Sequence, residues 1–191
     1  MIYDISQEIF SAEIYPGDPM PEKKEILSLH KSVPDKCQLT ELKLGSHTGT
    51  HIDAPRHFIM DGIDVENVSL EKCLGICKVI TVHGRLDEKI IWEVAKEGFH
   101  KILIKGEVCL DSENAKCIVD AGIHCIGVEG STVGSGIEQE NVHKILLGRG
   151  VVIIEGLRME EVTDGKYFLS ALPLKMDGLD GSPVRAVLWD V

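Results

Sequence analysis

The stretch "HTGTHIDAPRHF", residues 47–58, gathers His47, His51, Asp53 and His57 around a glycine and a proline. Neutral imidazole nitrogen and carboxylate oxygen are donors that zinc and other divalent first-row ions accept. Zinc-protease helices also carry two histidines four positions apart, but with a glutamate directly after the first. Here Thr48, Gly49 and Thr50 fill the interval, and they are poor helix formers. Extended chain suits the spacing better, because positions 47, 51 and 53 are all odd and would project from one face of a strand. Three protein donors leave coordination room for water. Gly49 lets the backbone bend, and Pro55 ends any ladder and turns the chain, which returns His57 toward the site without making it a ligand. An imidazole placed there is suited to moving a proton. His30, His83, His100 and His124 have no such company and read as bystanders.

The elements that must hold this cluster are legible in outline. "QLTELKLG" alternates apolar and polar residues and predicts a strand leading into the histidines. Further on, "ICKVITV", "KILIKG", "HCIGVEG" and "VVIIEGL" read as strands. Between them, "DEKIIWEVAKEG", "SENAKCIVDAG" and "QENVHKILLGRG" read as helices, with Asp87 and Ser112 as N-caps and Gly98, Gly122 and Gly148 as stops. "FLSALPLKM" and "SPVRAVLW" are strand-like without a helix between them, joined by the turn-rich "DGLDGSP", which predicts an antiparallel element. "EIYPGDPMPEK" is an irregular loop. The expectation is one α/β domain spanning residues 1–191 with a mixed sheet. Glu155 closes an apolar run, at the carboxyl end of a strand where α/β folds place their sites, and a carboxylate there needs a cation, a donor or water.

Composition narrows the function classes. A formal charge of −11 repels phosphate backbones and acidic lipid surfaces, and no Lys/Arg cluster rises above it, so neither nucleic acid nor membrane is expected as a partner. The chain opens without a basic start or a long apolar run and reads as soluble and cytoplasmic. Its six cysteines read as free thiols, since the one close pair, "CLGIC", has no matching second pair.

The cluster resembles the His-x-Gly-Thr-His-x-Asp-x-Pro-x-His motif of the metal-dependent cyclase family, which includes bacterial kynurenine formamidases and isatin hydrolases. "YPGDP", "VVIIEGL" and "ALPLKMDGLDGSPVRAV" resemble family segments in the same order. The resemblance implies an open, barrel-like core flanked by helices, of the swivelling β/β/α kind. It implies a site in which His47, His51 and Asp53 hold one divalent ion and Asp53 bridges to a second held by His143 and Glu155, with His57 as general acid and base. Read alone, His143 would be an ordinary helix-surface residue. Also implied are one or two Zn²⁺ ions per subunit (Mn²⁺ being the other candidate), a homodimer or larger assembly, and hydrolysis of a small amide such as N-formylkynurenine. Where formamidases commonly read Leu-Arg-Thr-Gly this chain has "LIKG" followed by "EVCLDSEN", a departure expected to fall in the pocket lining. A cyclic-amide hydrolase and a non-catalytic metal-binding module are the alternative readings.

Overall fold

The apolar runs of the sequence form the middle of a sheet, and everything else is arranged around them. The computed structural model describes residues 1–191. In chain order the strands and helices are β1 (Ile2–Asp4), β2 (Glu22–Leu27), β3 (Leu39–Lys43), β4 (His51–Asp53), α1 (Leu70–Cys73), β5 (Leu74–Thr81), β6 (Gly84–Arg85) and α2 (Glu88–Lys96). There follow β7 (Lys101–Lys105), β8 (Val108–Cys109), α3 (Ser112–Asp120), β9 (Cys125–Val128), α4 (Gln139–Gly148), β10 (Val152–Glu155), β11 (Gly165–Ser170), β12 (Gly181–Pro183) and β13 (Val187–Asp190).

Nine strands make one curled half-barrel sheet in the order β1-β13-β11-β5-β7-β9-β10-β4-β12. The central four, β5, β7, β9 and β10, run parallel, as strands joined by helical crossovers must. Both flanks are antiparallel, so the mixed α/β sheet expected from the sequence is what the chain builds. Alternation along each strand divides the apolar residues between two cores. Ile102, Ile104, Ile126 and Ile153 pack with Ile91, Ile118 and Leu146 of α2, α3 and α4, while Leu103, Val79, Ile154 and Leu188 fill the concave side. Burial of each such side chain contributes roughly 1.5–3 kcal/mol, which fixes the sheet as a platform for its edges.

Several local expectations are corrected. The N-cap of α3 is Asp111, whose carboxylate accepts from the Asn114 and Glu113 amides in a capping box; Ser112 is the first helical residue. Helix α4 runs through Gly148, and the chain turns at Gly150, where φ is +68°. The segment "DGLDGSP" contains β12, which pairs with β4. "QLTELKLG" does form a strand, β3, but with β2 it makes a separate two-stranded hairpin on which Leu39 and Leu42 are exposed. The ladder ends before the histidines, so His47 stands in a turn and only His51 and Asp53 share a strand. All six cysteines are free. Burial pushes the Cys73 and Cys77 thiols up to about 11 and about 12, which makes them inert core residues. No helix is long and apolar enough to cross a membrane.

Candidate metal centre

Strand register assembles the site. β4 lies between β10 and β12, with His51 opposite Glu155 and Asp53 opposite Ile153. Cross-strand partners share a face, so His51, Asp53 and Glu155 point together toward α4, while Ile52 and Ile154 between them enter the concave core. Helix α4 supplies His143, which is buried against the same face rather than solvated. His47 reaches in from the turn before β4. It passes over Gly181, where a Cβ would stand only 2.8 Å from His47 Cε1. Directly after β4, Pro55 starts a single 3-10 turn that carries His57 back beside His47, their ring centroids 4.0 Å apart. The structure therefore brings all six predicted residues to one place.

The ring nitrogens divide their duties. His51 Nδ1 donates to the Gly49 carbonyl at 2.9 Å and His143 Nδ1 to the Gln139 carbonyl at 2.7 Å. A carbonyl only accepts, so Nδ1 carries the proton in both rings and Nε2 is aimed at the carboxylates. His51 Nε2 lies 3.5 Å from Asp53 Oδ1 and 3.4 Å from Glu155 Oε2; His143 Nε2 lies 3.5 Å from Asp53 Oδ2 and 3.2 Å from Glu155 Oε1. Glu155 is held by the Val133 amide at 2.9 Å. His51 Nε2 and both oxygens of Asp53 are buried without a well-directed hydrogen bond, His47 Nδ1 standing 3.0 Å from Asp53 Oδ1 out of line, which is costly unless something else meets them. Their donor chemistry, nitrogen and carboxylate oxygen converging from three sides, is that of a divalent-cation site. Two donor sets are close enough to act together: His51, Asp53 and Glu155, and His47, Asp53 and His57, each with donor atoms within 4.8 Å of one another. Asp53 belongs to both. The sets differ from the family-implied allocation in pairing His51 with Glu155 and His47 with His57.

The electrostatics agree with an anionic nest. Burial alone would push the pKa of His51 and His143 down, but the carboxylates of Asp53 and Glu155 outweigh it and hold both up to about 10. His47 is likewise opposed by burial and raised to about 9 by Asp180 and Asp53. Burial favours the neutral form of Asp53, yet the three surrounding imidazoles keep its pKa well below the usual carboxylate range. Without a cation, protons take the place of one.

Asp180 was not singled out in the sequence. It directly precedes β12, and its Oδ2 lies 3.0 Å from His47 Nε2 and 3.3 Å from His57 Nδ1. The sequence offered two hints, its place in a turn-rich segment and within the family-like stretch "ALPLKMDGLDGSPVRAV", and neither marks this residue among its neighbours. Ser46 and Thr50 are struts of the site. Ser46 Oγ donates to Asp180 Oδ1 at 2.9 Å, and Thr50 Oγ1 donates to the Gly156 carbonyl at 2.6 Å while accepting from the Gln7 amide.

A cavity opens over these residues, lined also by Gln7, Glu13, Tyr15, Asp18, Phe58, Ser131, Thr132 and Gln139. The aromatic residues Tyr15 and Phe58 both face it. The Tyr15 hydroxyl donates to Gln139 Oε1 at 3.0 Å, and Phe58 stacks on His143. The departing segment after "LIKG" does not line this cavity. Gly106, Glu107 and Val108 instead border an adjoining groove that shares Glu13 and Thr132 with it.

Comparison with known proteins identifies the family and the fold. Residues 3–135 match the family described as "Putative cyclase". A kynurenine formamidase of Bacillus cereus is 33% identical, over 97% of this chain and 95% of its own length. A solved structure described as a potential metal-dependent hydrolase with cyclase activity is 27% identical, covers 100% of this chain and 98% of its own, and superimposes with a TM-score of 0.83. Isatin hydrolase A from Labrenzia aggregata, 20% identical over 98% of this chain and 93% of its own, shares the fold with a TM-score of 0.81. The chain belongs to the cyclase family and is a hydrolytic enzyme of it.

Proposed function

We propose that this protein is a metal-dependent arylformamidase, hydrolysing N-formylkynurenine to kynurenine and formate as a step of tryptophan degradation. The observation that carries the reading is the convergence of His47, His51, Asp53, His143 and Glu155 around orphaned buried donor atoms, at the floor of an open cavity. These five would hold one or two divalent ions, zinc or manganese by their donor chemistry. Bound there, such an ion would acidify a water molecule and polarise the amide carbonyl. His57 lines the cavity next to His47. It takes the proton released as water adds to the carbonyl carbon and delivers it to the departing nitrogen, so that the C–N bond breaks to a neutral amine.

The cavity supports an aromatic substrate that carries an ammonium group. Tyr15 and Phe58 offer ring faces, Glu13 and Asp18 supply negative charge, and no lysine or arginine is among the lining residues. The α-ammonium of N-formylkynurenine would meet Glu13 and Asp18, and the carboxylate beside it would have only neutral donors such as Gln7, Ser131 and Thr132 to meet. We further propose a homodimer or larger assembly, supported by the exposed apolar residues Ile26, Leu29, Leu39 and Leu42 on and beside the β2–β3 hairpin.

The test is steady-state turnover of N-formylkynurenine, formanilide and isatin by metal-replete and chelated protein, with elemental analysis of both. Preference for N-formylkynurenine, abolished by chelation and restored by metal, supports the assignment. Preference for isatin would transfer it to cyclic amides, and a metal-replete protein inert toward all three would defeat it.

A further inference from the structure

Asp180 is fixed more firmly than a residue in a surface turn needs to be. Its backbone carbonyl accepts from the Ala54 amide at 2.9 Å, at the end of β4, and its Oδ1 accepts from Ser46 Oγ at 2.9 Å. The remaining oxygen, Oδ2, faces two imidazoles at once, His47 Nε2 at 3.0 Å and His57 Nδ1 at 3.3 Å. One carboxylate oxygen has two lone pairs and can accept from both rings. The opposite nitrogen of His47 faces Asp53 Oδ1 at 3.0 Å, so Asp180 approaches His47 from the side away from Asp53. The two rings overlap at 4.0 Å with a tilt of 35°, which leaves neither free to turn without moving the other.

We propose that Asp180 is a positioning residue for proton transfer. It accepts Nδ1–H of His57, fixes that ring in the tautomer whose bare Nε2 serves the substrate, and ties the ring's orientation to His47 through a shared oxygen. The inference rests on the arylformamidase reading above, in which His57 carries a proton from water to the leaving nitrogen. Asp180 itself neither gains nor loses one. The geometry is that of a carboxylate orienting a catalytic imidazole, where the loss of the carboxylate leaves binding intact and removes the usable tautomer.

The experiment compares wild type, Asp180→Asn, His57→Ala and the double variant, each saturated with metal and checked by elemental analysis. Two substrates are used: formanilide, whose nitrogen must be protonated to leave, and 4-nitrophenyl formate, whose phenolate departs without a proton. Asp180→Asn is expected to lower kcat on formanilide by about 100-fold with KM nearly unchanged, and on the ester, which needs His57 only to take water's proton and not to protonate a leaving group, by a smaller factor of about 10-fold. In the His57→Ala background the same change should cost less than about 3-fold more. A readout independent of turnover is the ¹⁵N NMR spectrum of the metal-free protein at alkaline pH, in which the His57 ring should be protonated at Nδ1 in wild type and lose that preference in Asp180→Asn. Equal losses on both substrates, additive losses in the double variant, or failure of Asp180→Asn to take up metal would each overturn the proposal, the last by showing that the carboxylate serves His47 alone. A wild type that hydrolyses neither substrate defeats the arylformamidase reading instead. The NMR result then decides the ring's orientation by itself: Nε2 protonation in wild type overturns the proposal.

Discussion

His51 and His143 each commit one ring nitrogen to a backbone carbonyl, at Gly49 and at Gln139, and this commitment makes the other nitrogen a directed donor. His57 differs in that its partner is a carboxylate and its ring borders open space. The two kinds of histidine should separate in mutants. His57→Ala is expected to lower turnover of N-formylkynurenine by about 10²–10⁴-fold while the metal content of the purified protein stays at the wild-type level, measured by elemental analysis beside the kinetics. A parallel loss of metal would place His57 among the ligands, as its proximity to His47 and Asp53 allows. Most of this was legible in the sequence, because four of the residues lie within eleven positions of one another and their types have no packing rationale. His143 and Glu155 took meaning from the family pattern. Asp180 could not be seen: it lies 133 residues from His47 and 123 from His57, and an aspartate in a glycine-rich turn is ordinary until pairing with β4 sets it under the rings.

At the scale of elements, the site depends on close backbone approach just after β10. Gly156 has φ +71°, and a Cβ there would lie 2.8 Å from the Gly49 carbonyl oxygen and collide with the Gln7 amide. Its own carbonyl receives Thr50 Oγ1 and Gln7 Nε2. Gly156→Ala is therefore expected to destabilise the fold by about 1–3 kcal/mol in urea unfolding, by forcing a left-handed conformation on alanine and by moving Gly49 and Glu155. Metal affinity should fall with it, read by competition with a chromogenic chelator. Strands β7, β9 and β10 were readable as continuous apolar runs because both of their faces are buried, and helices α2, α3 and α4 because each has one apolar face. Strand β12 was hidden by its glycine and proline, which are punctuation everywhere except beside a strand needing a close neighbour. The β2–β3 hairpin was half legible. Its alternation predicts a strand correctly, but alternation does not say which sheet the strand joins.

For the whole molecule, the buried charges set how stability responds to pH. The pKa values of His47, His51 and His143 are raised in the folded chain to about 9, 10 and 10. Their contribution is fully present below the unfolded histidine value near about 6.5 and is lost as pH rises through those folded values. Asp53 is depressed, so its contribution is present above the ordinary carboxylate value and is lost on acidification. Chelated protein should therefore lose thermal stability between about pH 7 and 10, with Tm falling by roughly 5 °C or more. Metal-loaded protein should hold its Tm over the same range, because the ion replaces the protons and binds more tightly as they leave. Scanning calorimetry of both forms at several pH values tests the difference. The alternation that turns His51, Asp53 and Glu155 to one side of the sheet, with Ile52 and Ile154 on the other, also polices assembly. Were β4 to slide by a single position against its neighbours, an imidazole and a carboxylate would be driven into hydrocarbon and an isoleucine into the catalytic hollow. So misfolded alignments are penalised by the same residues that are proposed to hold the metal.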